Sequence, residues 1–298
     1  MTARIIDCKI IADEIKQDVK QNVGELRQQG ITPHLTAVQI GHCPASKIYT
    51  SRQQKLSQKF GIEFTLCEMP ENTTQDELFH KIDELNNNAN VSGIILQMPL
   101  PEHIQASQVQ VKIDPRKDVE GVNPVNLGHV VLNDFEIAPC TAYAVMKILE
   151  HEKIELKGKN VVVVGHSNIV GKPLALMLLG KFATTTVCHI ETIDLKSHTL
   201  NADILISATG KAGLIRGSMI SPDSVLIDVG ICRIPILDNE GKAVLKEDGC
   251  VKTKIVGDID FESVRDIASA ITPVPGGVGA VTSAILMENI IKALKIQL

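Results

Sequence analysis

Apolar side chains recur at Ile11, Ile15, Val19 and Val23 across residues 9–29. Spacing of four lays them along one helical face, so this segment predicts an amphipathic helix. Residues 35–40 (LTAVQI) are apolar at nearly every position and predict a buried strand. A helix is expected over 45–60, with Gly61 just past its end. A strand is expected at 62–67, and a helix at 73–88 opening on the capping run Thr-Thr-Gln-Asp. Residues 93–97 (GIILQ) predict another buried strand. Strands alternating with helices imply an α/β domain around a parallel sheet.

The pattern then breaks. Residues 114–142 carry Pro115, Gly121, Pro124, Gly128 and Pro139 and predict a loop-rich crossing between domains. A second alternation follows, with strands at 160–164, 184–188, 203–207, 225–229 and 254–256 and a helix at 172–180. The stretch 234–253 holds Asp-Asn-Glu-Gly and Glu-Asp-Gly turns and predicts a surface hairpin. A last helix is expected over 281–295.

Composition narrows the classes. The chain has 298 residues, enough for two modest domains. A net charge of −5, no basic run, 3% aromatics and no Trp argue against nucleic acid as a partner. The seven Cys are scattered singly with no C-x-x-C pair, which predicts reduced thiols in a cytoplasmic setting and no metal site. The N-terminus lacks the apolar core of a signal peptide, and no apolar run approaches the ~20 residues of a membrane span.

Residues 161–173 (VVVVGHSNIVGKP) carry candidate chemistry. Gly165 lets the chain turn sharply off a buried strand, and Gly171 and Pro173 open a helix whose N-terminus offers N–H groups to a pyrophosphate. The spacing is not G-x-G-x-x-G, and a purely structural strand–turn–helix fits as well. The cofactor's 2′ group is expected at the end of the next strand, residues 188–192 (CHIET). An Arg there favours a 2′-phosphate and an acid favours a free diol; this chain has Ile190 and Glu191.

In the first domain, Tyr49 and Gln53 share one helical face at i, i+4. Gln97 ends a buried strand, where open α/β sheets place ligands. A lone Tyr or Gln at an element end is more often structural, and Asp118 and Glu120 are more often turn charges. Residues 271–279 (ITPVPGGVG) predict a fixed loop whose bare backbone suits a flat ligand.

Eight segments in order resemble the methylenetetrahydrofolate dehydrogenase/cyclohydrolase family: PASKIY at 44–49, QMPLP at 97–101, KDVEG at 117–121, PCT at 139–141, Gly165 to Pro173, DVGI at 228–231, GDIDF at 257–261 and TPVPGGVG at 272–279. The resemblance implies an α/β folate-binding domain over 1–138 plus 279–298, the C-terminal helix returning to it. It implies a Rossmann-like NAD(P)-binding domain over 139–278, folate in the cleft, and a homodimer. The family oxidises 5,10-methylenetetrahydrofolate with NADP, NAD being possible here, then opens the methenyl cation to 10-formyltetrahydrofolate. By position, Tyr49 would orient the folate, Gln97 would tune the neighbouring catalytic group and Glu120 would bond the pterin. Gly165, His166, Ser167 and Gly171 would line the cofactor, Ile190 would stand at its 2′ group, and Ile231 would touch the nicotinamide. Pro275 and Gly276 would shape the folate slot.

Two departures matter. The family has Lys where this chain has Gln53, and Asp where it has Glu120. Lys55 lies about 240° round the helix from Tyr49 and is no simple substitute. Hydride transfer needs geometry, whereas water attack on the cation needs protons moved. A dehydrogenase with a weakened cyclohydrolase is therefore expected. The alternatives are a bifunctional enzyme with Glu120 as base and a silent folate/NADP-binding protein.

Overall fold

The structure is a computed structural model describing residues 2–41, 44–238, 241–245 and 250–298, with the backbone but not the side chains of 44–49. In chain order the elements run β1 (Arg4–Ile5), α1 (Cys8–Gln28), β2 (His34–Ile40), α2 (Pro44–Phe60), β3 (Glu63–Met69), α3 (Gln75–Asn87), β4 (Gly93–Leu96), α4 (Ala106–Lys112), α5 (Pro124–Val131) and α6 (Cys140–His151). They continue as β5 (Asn160–Val164), α7 (Gly171–Gly180), β6 (Thr184–Cys188), α8 (Leu195–Thr199), β7 (Ile204–Ser207), β8 (Val225–Asp228), β9 (Cys232–Pro235), β10 (Thr253–Val256), α9 (Phe261–Val264), β11 (Ala270–Ile271) and α10 (Val278–Gln297). They form two compact units: Ala12–Cys140 with Thr282–Leu298, and Met1–Ile11 with Thr141–Val281.

The first unit is built on a three-stranded parallel sheet, order β3-β2-β4. Strand β2 is buried along six of its seven residues, as a central strand covered on both faces must be. One apolar layer joins Val19, Val23, Leu35, Ile62 and Ile95 to Met287, Ile290 and Ile291 of α10. The other packs Val38, Ile94 and Leu96 against Leu78 and Ile82 of α3. Helix α3 opens with a complete capping box: Glu77 N–H bonds the Thr74 hydroxyl, and the Glu77 carboxylate accepts from Thr74 N–H.

The second unit carries a six-stranded parallel sheet, order β1-β11-β8-β7-β5-β6. The chain leaves β5 for β6 on one side and returns to β7 on the other. A crevice therefore opens where the C-terminal ends of β5 and β7 diverge, the ligand position of open α/β sheets. The core around Val162, Val164, Leu205, Leu226 and Ile271 lies on this sheet.

Four features differ from the sequence reading. The stretch 114–142 is loop-rich as expected but not without helices: α5 fills its middle and α6 starts at Cys140. Pro124 sits at the first helical position and Asn123 accepts from Val125 N–H, so those residues start a helix instead of breaking one. Strand β10 lies outside the parallel sheet and pairs antiparallel with β9. The two-residue strands β1 and β11 are too short to leave a periodic signal. Finally, residues 1–11 group with the second unit, because Arg4 and Ile5 pair with Ala270 and Ile271.

Candidate active site

In the first unit the chemistry gathers at the C-terminal edge of the sheet. The chain after β4 continues in register, with Gln97 N–H donating to Val38 O at 2.8 Å. This holds Gln97 against α2, and its Nε2 donates to Gln53 Oε1 at 2.8 Å. Both side chains are buried, 3% and 4% exposed. Gln53 Nε2 has no partner among the described residues. A buried amide donor left unpaired costs about 1–3 kcal/mol unless a ligand or water meets it. Tyr49 lies one turn earlier on α2, and its side chain is outside the described residues.

The segment after α4 runs beside β4 through a parallel bridge between Ile94 and Asp118. The chain beyond Asp118 thus emerges at the same edge as Gln97. Asp118 is no mere turn charge. Its carboxylate accepts from Gly121 N–H at 3.1 Å, Asn123 N–H at 2.7 Å and Asn126 Nδ2 at 2.9 Å. Burial pushes this carboxyl up, and those bonds pull it back. Neighbouring Lys117 caps α3, donating to Leu85 O at 3.0 Å and Asn88 O at 2.7 Å. Glu120 stands half-buried two residues on. Burial first, and the Asp118 charge second, push its carboxyl up to about 8, so it is largely neutral at pH 7. Its backbone carbonyl accepts from Cys140 N–H at 3.3 Å. Gln53 and Gln97 therefore meet directly, whereas Glu120 groups with Asp118 and Cys140.

In the second unit Gly165 (φ +114°) ends β5, its N–H bonded to Cys188 O at 2.8 Å. A Cβ there would strike the Ala208 carbonyl, and one at Gly171 would strike the carbonyl of Gly165. Only glycine lets α7 begin so close to the strand end. Val170 gives α7 no side-chain cap bond; in the first turn Lys172 N–H donates to Ser167 O at 3.1 Å and Pro173 carries no N–H, which leaves the Gly171 N–H for a ligand. Ser167 Oγ accepts from Val170 N–H at 3.2 Å and shapes the loop. This bare, dipole-tipped cradle fits a pyrophosphate. His166 lies beside His189 with ring centroids 5.0 Å apart. Ile190 is 94% exposed just beyond β6, and Ile231 is 64% exposed beyond β8. Pro275 and Gly276 (φ +97°) also belong to this unit.

The sequence reading missed two supports. Asp228 accepts from Gly230, Asp258 and Ile259 N–H at 2.9–3.0 Å. Asp258 accepts from Ser207 Oγ, Thr209 N–H and Thr209 Oγ at 2.6–3.0 Å. The two carboxylates tie the ends of β7 and β8 together. Burial pushes Asp228 up to about 6. Their signal was present in DVGI and GDIDF, whose two acids are flanked by glycines that leave room for them. Among the described residues no group of His, Cys, Asp and Glu is placed to hold a metal ion, and no helix is long and apolar enough to cross a membrane.

A parallel sheet with a glycine cradle at its switch point, joined to a second α/β unit with a buried amide pair at its sheet edge, defines a two-unit enzyme that uses a dinucleotide. The chain belongs to the tetrahydrofolate dehydrogenase/cyclohydrolase family: the model of the family's catalytic domain matches residues 6–120, and that of its NAD(P)-binding domain matches residues 139–298. It is 44% identical to the bifunctional protein FolD of Nautilia profundicola over 98% of this chain and 97% of that one. It is also similar to the crystal structure of the bifunctional FolD methylenetetrahydrofolate dehydrogenase/cyclohydrolase of Campylobacter jejuni, with 40% identity, 99% and 100% coverage and a TM-score of 0.89. The Trypanosoma brucei FolD structure, solved with NADP and an inhibitor, matches at 35% identity, 99% and 98% coverage and a TM-score of 0.89.

Proposed function

We propose that this chain oxidises 5,10-methylenetetrahydrofolate to the methenyl cation efficiently and hydrolyses that cation to 10-formyltetrahydrofolate only weakly. The observation that carries the reading is the buried Gln53–Gln97 amide pair, in which Gln53 stands at the position the resemblance gives to a lysine. NAD(P), held by Gly165, His166, Ser167 and Gly171, supplies the hydride acceptor when bound. Ile231 is assigned to the nicotinamide, and Pro275 and Gly276 to the folate.

Hydride removal leaves the positive charge on the substrate, so no protein base is consumed. What the chain must provide is position. Gln53 Nε2, buried and without a partner among the described residues, would donate to an acceptor on the folate, and Gln97 fixes its direction. Tyr49, one turn away on the same helical face, is assigned to orient the folate, and Glu120 to bond its pterin edge. Opening the cation requires water to lose a proton and a ring nitrogen to gain one. A lysine of lowered pKa can carry both, and an amide carries neither.

The test is two assays on one preparation: reduction of the nicotinamide with methylenetetrahydrofolate, and loss of methenyltetrahydrofolate without cofactor after subtracting spontaneous hydrolysis. We expect the first to be fast and the second near background. Gln53→Lys should then raise hydrolysis by about 10²–10⁴-fold. Equal rates in the unaltered protein would sink the proposal. One observation favours a second reading: Glu120, at about 8, is poised to exchange a proton near neutral pH. On that reading hydrolysis would be rapid and Glu120→Gln would abolish it. Cofactor binding without turnover would mark a silent binder.

Strand β6 is an open edge, and Phe182 beside it is 75% exposed. Both favour pairing with a second copy of the chain. Light scattering should give a dimer, and Phe182→Asp should loosen it. Cys8, Cys67, Cys140, Cys188 and Cys232 are free thiols, which suits a cytoplasmic location.

A further inference from the structure

The end of β6 is the place where a parallel nucleotide-binding sheet meets the adenosine ribose, because β6 flanks the strand that carries the phosphate cradle. The turn there is rigid. His189 N–H donates to Thr192 Oγ1 at 2.8 Å, and Thr192 N–H returns to His189 O at 2.9 Å. Glu191 N–H donates to His189 Nδ1 at 3.2 Å. These bonds fix the Glu191 backbone just beyond the end of β6. Its carboxylate is exposed and has no hydrogen-bond or ion-pair partner among the described residues.

The turn itself carries two acids, Glu191 and Asp194, and no Lys or Arg, the next cation along the chain being Lys196 in α8. Asp194 is committed to capping α8, its Oδ1 accepting from Ser197 N–H at 3.3 Å. Lys172, in the first turn of α7, is tied to Asn168 Oδ1 at 2.8 Å. Ile190 offers no donor. His189 Nδ1 is taken up by the Glu191 N–H. A 2′-phosphate needs cationic donors, and a free 2′,3′-diol needs an acceptor such as a carboxylate.

We propose that Glu191, fixed by the His189 turn, selects a dinucleotide with a free 2′-hydroxyl, so that NAD is preferred to NADP. The proposal rests on the dehydrogenase reading only in that both use the same nucleotide site. It is tested by titrating the purified full chain with NADH and with NADPH, following nicotinamide fluorescence in the absence of folate. NADH should bind at least about tenfold more tightly, the worth of one hydrogen bond to a charged group. Glu191→Gln should narrow that ratio and Glu191→Arg should reverse it. The same order should appear for AMP against 2′,5′-ADP as competitors, which confines the effect to the ribose. NADPH binding as tightly as NADH in the unaltered protein overturns the inference, whether or not the dehydrogenase is active. Tight binding of NADH without oxidation of methylenetetrahydrofolate upholds it and overturns the dehydrogenase reading instead. Binding of neither removes both.

Discussion

At the scale of single residues, the site is governed by what burial does to polar groups. Glu120 has a folded pKa of about 8 against an ordinary 4.5. Below the ordinary value both states are protonated and nothing is lost. Between the two values the unfolded chain releases its proton while the folded one keeps it, so stability falls as pH rises across that window. Glu120→Gln should therefore match the parent near pH 4 and exceed it at pH 8, by roughly 2–4 °C in melting temperature for each kcal/mol relieved. Thermal melts at the two pH values decide it, and an equal gain at both would dismiss the titration as cause. Sequence pattern put Gln53 on a helix and Gln97 at the end of a strand. The bond between Gln53 and Gln97 was not legible, because they are 44 residues apart and meet only through sheet register. Asp118 read as a turn charge because nothing local marks a buried carboxylate that answers to three donors.

Among elements, β5 and α7 show how little backbone freedom the nucleotide cradle has. Gly171→Ala would drive a methyl group into the Gly165 carbonyl, so the helix must retreat from the strand. We expect cofactor affinity to fall at least about tenfold, read by nicotinamide fluorescence, with far-ultraviolet circular dichroism preserved. Thr74→Ala removes one arm of the α3 capping box and should cost about 1 kcal/mol, seen in denaturant unfolding without change in cofactor binding. Elements with long periodic signals were legible: β2, α3, β5 and α7 fall where the pattern put them. Helices α5 and α6 were obscured because Pro124, Gly128 and Pro139 read as breakers, although a proline in the first turn favours a helix. Strand β10 looked like another buried strand because sequence pattern does not report the direction of pairing.

Over the whole molecule, the class of fold was legible from two runs of alternation, and the membership of the chain's two ends only in part. Helix α10 was expected to return to the first unit, and there it contributes Leu286, Met287, Ile290, Ile291 and Leu294 to the core. Asn289 anchors it, donating to Val119 O at 2.9 Å and Ala138 O at 3.1 Å. Met287→Ala should cost about 2–5 kcal/mol, and a chain ending at Val281 should fail to form the first unit at all, as limited proteolysis would show. No local signal could reveal that Arg4 and Ile5 pair with residues 266 positions away. These two exchanges have a consequence for synthesis. A ribosome delivers the chain from one end, yet the first unit waits for its closing helix and the second waits for β11 to receive β1. Neither half can complete its folding while translation is under way, so the nascent chain must be kept from aggregating until nearly all of it has emerged.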